Sequence, residues 1–155
     1  MTVSVPVHIL VDADACPVKE EVLRVAARHA LPVTFVAASW MRIAEDERVR
    51  LEVVEQGFDA TDDRIAELAT RGSIVVTADI PLASRCLAKG AQVLGTTGRA
   101  FTADNIGEVL ATRTLLADLR AAGEPTRGPA PFNARDRSRF LQELDRMVHA
   151  ARRAG

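Results

Sequence analysis

The chain has little of what would place it in a membrane, a disulfide scaffold or a repeat array. No apolar run approaches the roughly 20 residues that a membrane helix needs, and no charged stretch precedes an apolar one at the N-terminus. Membrane association and export are therefore not expected. Cys16 and Cys86, the only cysteines, stand 70 positions apart and offer neither metal-knuckle nor disulfide-framework spacing. A reduced, cytoplasmic protein is the simplest reading. His8, His29 and His149 show no ligand spacing, and Lys19 and Lys89 are the only lysines. No internal repeat or low-complexity tract is evident.

What is present is ordinary globular material, with 48% hydrophobic and 26% charged residues. The 155 residues suit one domain, 1–155, burying about 70% of the unfolded surface. Net charge is −1 but uneven: residues 1–97 hold ten Lys/Arg against fourteen Asp/Glu, and residues 98–155 ten against seven. An acidic site beside a basic C-terminal segment suits a metal-dependent enzyme acting on a polyanion. Helix surfaces that carry charge only for solubility would give the same counts.

The organising stretch is Val7-His-Ile-Leu-Val-Asp12-Ala-Asp14-Ala-Cys16-Pro17. An apolar, β-branched-rich run bounded by turn chemistry reads as a buried strand, with Asp12 near its carboxyl end and Asp14 in the turn beyond. Pro17 is expected at the first helical position, opening an amphipathic helix to about Ala30 in which Val18, Val22, Val25, Ala26 and His29 recur at helical spacing. Leu31-Pro32 ends it, and Val33 to Ala38 is a second strand. Ser39 to Arg48 is a polar connection, and Val49 to Val54 alternates like a half-exposed edge strand. A carboxylate-rich turn, Gly57-Phe-Asp59-Ala-Thr-Asp62-Asp63, leads into a short helix. Ser73-Ile-Val-Val-Thr-Ala-Asp79 then repeats the opening theme of strand, carboxylate and proline, here Pro81. Ala91 to Leu94 is a fifth strand and Gly95-Thr-Thr-Gly98 a flexible loop. Thr102 to Asn105 offers caps for a helix to about Ala122, with Ile106, Val109, Leu110, Leu116 and Leu119 inward. Residues 123–131 form an irregular loop, and Asn133 with Asp136 caps a last helix over about 134–152, packed on the domain.

Alternating strands and helices predict a three-layer α/β/α sandwich around a mainly parallel five-stranded sheet. If the first and fourth strands are central neighbours, Asp12 and Asp79 converge in the crevice at a switch point. Asp12, Asp14, Asp62 and Asp79 are the candidate metal ligands, with Asp59 and Asp63 beside them. Clustered carboxylates repel unless a proton or cation compensates, and oxygen ligands suit Mg²⁺ or Mn²⁺. Such a site can activate water against a phosphodiester, which makes Asp12, Asp62 and Asp79 the candidate catalytic residues. Asp residues that merely cap helices after strands are the duller explanation.

At these residues the chain closely resembles the bacterial YaiI/YqxD family. The resemblance rests on Val11-Asp-Ala-Asp-Ala-Cys-Pro-Val18, Gly57-Phe-Asp-Ala-Thr-Asp62, Val76-Thr-Ala-Asp-Ile-Pro-Leu-Ala83, and Gly128-Pro-Ala-Pro-Phe132 followed by Asp136-Arg137. It runs from about Val7 to Met147 and looks like a relative of the PIN and NYN nuclease domains. That resemblance implies strand order 3-2-1-4-5 and an acidic Mg²⁺- or Mn²⁺-binding crevice, with Asp12, Asp79 and the helix-opening Asp62 in the matching positions. The chain departs from the family at Ala38, at Gly72-Ser73 and at Gly95-Thr-Thr-Gly98, a loop that could touch a substrate phosphate.

The leading expectation is a metal-dependent nuclease acting on RNA. A non-catalytic RNA- or metabolite-binding domain with a structural metal, and a haloacid-dehalogenase-like phosphatase opening with Asp-x-Asp, are the alternatives. Thr77, Lys19, Arg135 and Arg137 are the candidate substrate contacts. Satisfying backbone near a strand end is an equal reading for Thr77, and a solvated helix end is the duller one for Lys19. Arg135, Arg137 and Arg139 fan around the last helix. Cys16 is expected to be buried packing rather than a nucleophile, and Trp40 a partly buried loop anchor rather than a base-stacking surface. Self-association is left open.

Overall fold

The computed structural model describes residues 6–55, 57, 59–126 and 131–154. Phe58 and residues 127–130, which belong to two of the quoted motifs and to the irregular loop, lie outside the described residues. Strand β1 (His8–Asp12) leads to helix α1 (Lys19–His29), and β2 (Val33–Ala37) to β3 (Val49–Val53). Helix α2 (Ala60–Leu68), β4 (Ser73–Val76) and α3 (Ile80–Ala88) follow. Then come β5 (Gln92–Leu94), β6 (Ala100–Phe101), α4 (Ile106–Ala121) and α5 (Ala134–Ala154).

The strands form one mixed sheet in the order β3-β2-β1-β4-β5-β6. The first five are parallel in the expected 3-2-1-4-5 order, and β6 adds an antiparallel edge through Val93 opposite Phe101. The expected five strands are therefore six. Two residues are too few to show a period, and the turn that brings them back is built by glycine. Gly95 N–H donates to the Arg99 carbonyl at 2.8 Å and Gly98 N–H to the Gly95 carbonyl at 3.0 Å. Gly98 has φ +90°, and a Cβ there would meet the Arg139 and Phe140 backbone of α5 at 2.8 Å. The stretch read as a flexible loop is a hydrogen-bonded turn seated on a helix.

Central strands alternate between two cores, as period-2 side chains require. Ile9, Val11, Phe35, Ile74 and Val76 face α1 and α5, whose Val22, Val25, Phe140 and Leu144 are buried with them. Leu10, Val36, Val75 and Val93 face α2 and α3. The result is a three-layer α/β/α sandwich. Edge strand β3 is half-exposed as expected, although Val53, placed on its apolar face, is 47% exposed. The expected inward face of α4 is correct in phase, but none of its residues is buried.

Helix α1 starts two residues later than Pro17 predicted, with Val18 as its N-cap. Its end is stopped by Ala30 at φ 53° and by Leu31 N–H on the Ala26 carbonyl at 2.9 Å. Helix α5 begins in the expected box: Asp136 N–H donates to Asn133 Oδ1 at 2.9 Å, and Asn133 N–H to Asp136 Oδ2 at 3.2 Å. The two helices run side by side in the same direction. Arg137 donates to the Pro17 carbonyl and Glu21 at the start of α1, and Arg28 donates to Asp145 at its end. Because α1 leaves the carboxyl end of β1 and delivers the chain to the start of β2, Pro17 marks one end of the sheet and His29 the other.

Candidate metal centre

Asp12 shares the parity of Leu10 on β1, so its side chain falls on the α2–α3 side of the sheet. There Thr77, 1% exposed and next to the end of β4, donates its hydroxyl to Asp12 Oδ2 at 2.8 Å. Thr77 Oγ1 also accepts from Asp79 N–H at 3.0 Å. Asp79 caps α3, accepting from Leu82 N–H at 2.9 Å, with Pro81 in the first turn. One hydroxyl thus ties the carboxylate of one central strand to the backbone of the carboxylate after the next. Asp62 enters from the first turn of α2, where its neighbour Asp63 points outward to Arg85 at 2.9 Å.

The charges compound one another. Burial raises the Asp62 pKa to about 6, with the negative charges of Asp79, Asp12 and Asp59 and a hydrogen bond to Asp79 adding to it. Burial also raises that of Asp12; the Thr77 hydrogen bond opposes this, and Asp79 and Asp14 reinforce it. Among the described residues, the largest influences on the two groups include no cationic side chain. Asp12, Asp62 and Asp79 offer only oxygen donors, the chemistry that suits Mg²⁺ or Mn²⁺, although their oxygens do not all lie within 4.8 Å of one another as the ligand atoms of His29, Asp145 and His149 do. Two non-glycine residues with positive φ flank the cluster, Ala15 at 61° and Asp59 at 60°. Local strain of this kind gathers at functional sites.

Other candidates are placed differently. Asp14 is exposed, and its Oδ2 accepts the Ala38 N–H at 2.9 Å, joining the β1 turn to the end of β2. Lys19 Nζ donates to the Cys16 carbonyl at 3.0 Å, within its own turn. Arg137 pairs with the buried Glu21 at 2.6 Å and lies 5.0 Å over the Phe132 ring. Arg135 is exposed in the first turn of α5. Cys16 is buried, and burial pushes its thiol pKa up, in keeping with packing. Trp40 is the clear correction: it is 74% exposed rather than anchored. It follows β2 by three residues, at the carboxylate end of the sheet. Its neighbours Met41 and Ile43 pack on the core in its place.

The histidines also depart from expectation. His8 Nε2 meets the buried Ser73 hydroxyl at 2.7 Å, a use for the serine at the Gly72-Ser73 departure. His29 and His149 come together with Asp145. Sequence spacing missed that group because His29 and Asp145 are 116 residues apart. The i,i+4 pair Asp145 and His149 was its one local sign.

Fold and site together define an open α/β sheet with a cluster of carboxylates at its switch point, where β1 and β4 are neighbours. The family model described as "Uncharacterized BCR, YaiI/YqxD family" matches residues 10–150, and the chain belongs to that family. A UPF0178 protein of Brucella ovis is 57% identical over 148 residues, 95% of this chain and 92% of that protein. One from Rhodospirillum centenum is 56% identical over 149 residues, covering 94% and 97%. One from Rhodopseudomonas palustris is 51% identical, covering 96% of each. No solved structure matches the chain. Among the described residues, no helix is long and apolar enough to cross a membrane.

Proposed function

We propose that the protein hydrolyses phosphodiester bonds in RNA, using a divalent cation held by Asp12, Asp62 and Asp79. The observation that carries this reading is the linkage of the two strand-end carboxylates, in which the Thr77 hydroxyl donates to Asp12 and accepts the Asp79 N–H, with the charges of Asp79, Asp12 and Asp59 adding to the burial that raises the Asp62 pKa. A bound Mg²⁺ or Mn²⁺ supplies positive charge and Lewis acidity toward water and a phosphodiester oxygen. The chain's own groups prepare the place. Thr77 orients Asp12, the α3 N-terminus orients Asp79, and the first turn of α2 carries Asp62. Asp14, whose carboxylate accepts the Ala38 amide, tunes the site from the adjoining turn or binds the ion through water. The exposed Trp40 at the same end of the sheet offers a surface on which an unpaired base can stack, which favours single-stranded RNA.

The same tryptophan would serve a non-catalytic RNA-binding domain with a structural metal, so turnover decides between the two. The test is a cleavage screen of RNA and DNA substrates with Mn²⁺ or with chelator, using Asp79→Asn as control. The expected result is Mn²⁺-dependent cleavage of RNA that disappears in the variant. Equal cleavage by the variant removes the assignment of Asp79. Metal binding without turnover on any nucleic acid leaves the binding-domain reading.

A further inference from the structure

We propose that His29, Asp145 and His149 form a second metal site, for Zn²⁺ or a similar borderline transition-metal ion, at the opposite end of the sheet. One ligand atom from each residue lies within 4.8 Å of the other two. His29 Nε2 is 2.7 Å from Asp145 Oδ1, and His149 Nε2 is 3.5 Å from Asp145 Oδ2. The two imidazoles meet edge to face, with centroids 4.9 Å apart. In a tetrahedral zinc site with bonds of about 2.0–2.1 Å, ligand atoms are separated by about 3.3 Å. Closing the trio around an ion thus takes side-chain adjustments of roughly 1 Å, not backbone movement.

The fold supports such a site. His29 is the last residue of α1, held by the left-handed stop at Ala30. Its side chain is 9% exposed and therefore pre-positioned. Asp145 and His149, one turn apart on α5, complete a rigid helical pair, and the 57% exposed His149 can rotate onto an ion. Two imidazoles with one carboxylate are a borderline donor set, unlike the all-oxygen set of Asp12, Asp62 and Asp79. Three protein ligands leave a fourth position for water or another ligand. Arg28 is the competitor: its Nη1 lies 3.3 Å from Asp145 Oδ1, but its side chain is 60% exposed and can turn to solvent. Arg152 donates to the His29 carbonyl and leaves the ring to the ion. A bound ion would pin the C-terminal end of α1 to the middle of α5.

The test measures Zn²⁺ binding by competition with a chromophoric chelator, and the visible absorption of Co²⁺, in a protein carrying Asp12→Asn and Asp79→Asn. Those substitutions remove the carboxylate cluster as a second sink. The expected result is one Zn²⁺ per chain, a tetrahedral Co²⁺ spectrum and a metal-induced rise in melting temperature. His149→Gln, at an exposed position that should not affect folding, should weaken binding about 100-fold, and His29→Gln should do the same. No saturable Zn²⁺ binding, or the same affinity in His149→Gln, would overturn the proposal. Because that cluster is disabled throughout, neither result depends on the nuclease reading.

Discussion

At the carboxyl end of the strands, Asp62 sits among Asp12, Asp59 and Asp79, and its pKa rises to about 6. At the amino end Asp145 sits among His29, Arg28 and His149, and its pKa is lowered, chiefly by the His29 hydrogen bond. The same side chain meets carboxylates in one place and histidine and arginine side chains in the other. The amino end couples two helices. The acidic end sits at the switch point, where the charges of neighbouring carboxylates raise the Asp62 pKa further, a perturbation of the kind that gathers at functional sites.

The two carboxylates should affect stability with opposite pH dependence. The folded pKa of Asp62 is raised from 3.8, so its favourable contribution is complete below about pH 3.8 and is lost as pH rises through about 6. The folded pKa of Asp145 is depressed, so its contribution is present above pH 3.8 and is lost as pH falls through its lowered value.

The comparison can be broken in several ways, from the largest expected effect to the smallest. Asp79→Asn should lower Mn²⁺-dependent RNA cleavage by about 10³-fold or more, while His149→Gln leaves it unchanged; steady-state rates on one RNA substrate would show both. Gly98→Ala forces a Cβ against the α5 backbone at positive φ. It should cost about 2–3 kcal/mol, seen as a melting temperature lower by roughly 5–10 °C. Arg137→Ala leaves the buried Glu21 without its partner. Because Arg137 is 47% exposed, solvent limits the loss to about 1–2 kcal/mol in denaturant unfolding. Asp62→Asn should raise the melting temperature at pH 7–8 by about 2–4 °C, with the gain vanishing below pH 4. Asp145→Asn should do the reverse, lowering it at neutral pH with a gap that closes in acid. A melting profile with the same pH slope in both variants would erase the contrast.

The parts of this arrangement legible in sequence are those set by local pattern. Asp12 and Asp79 each close an apolar β-branched run and precede a proline, so strand, end and carboxylate come together within seven or eight residues. The box of Asn133 and Asp136 is equally local. Features that depend on how elements dock were hidden. Ala100-Phe101 becomes a strand only because Gly95 and Gly98 turn the chain back against β5. Trp40 is exposed because Met41 and Ile43 supply the contacts that keep the loop on the core. Arg137 is drawn to Glu21, and His29 to Asp145 and His149, by the side-by-side packing of α1 and α5. No periodicity within either helix encodes that register.

The most direct measurement of the central claim is the carboxyl titration of Asp62, followed by ¹³C NMR with and without saturating Mg²⁺. The account predicts a midpoint near pH 6 in the metal-free protein, moved below about pH 4 when Mg²⁺ competes with the proton. A metal-free midpoint near the ordinary aspartate value, or a midpoint near 6 that Mg²⁺ does not move, would contradict it.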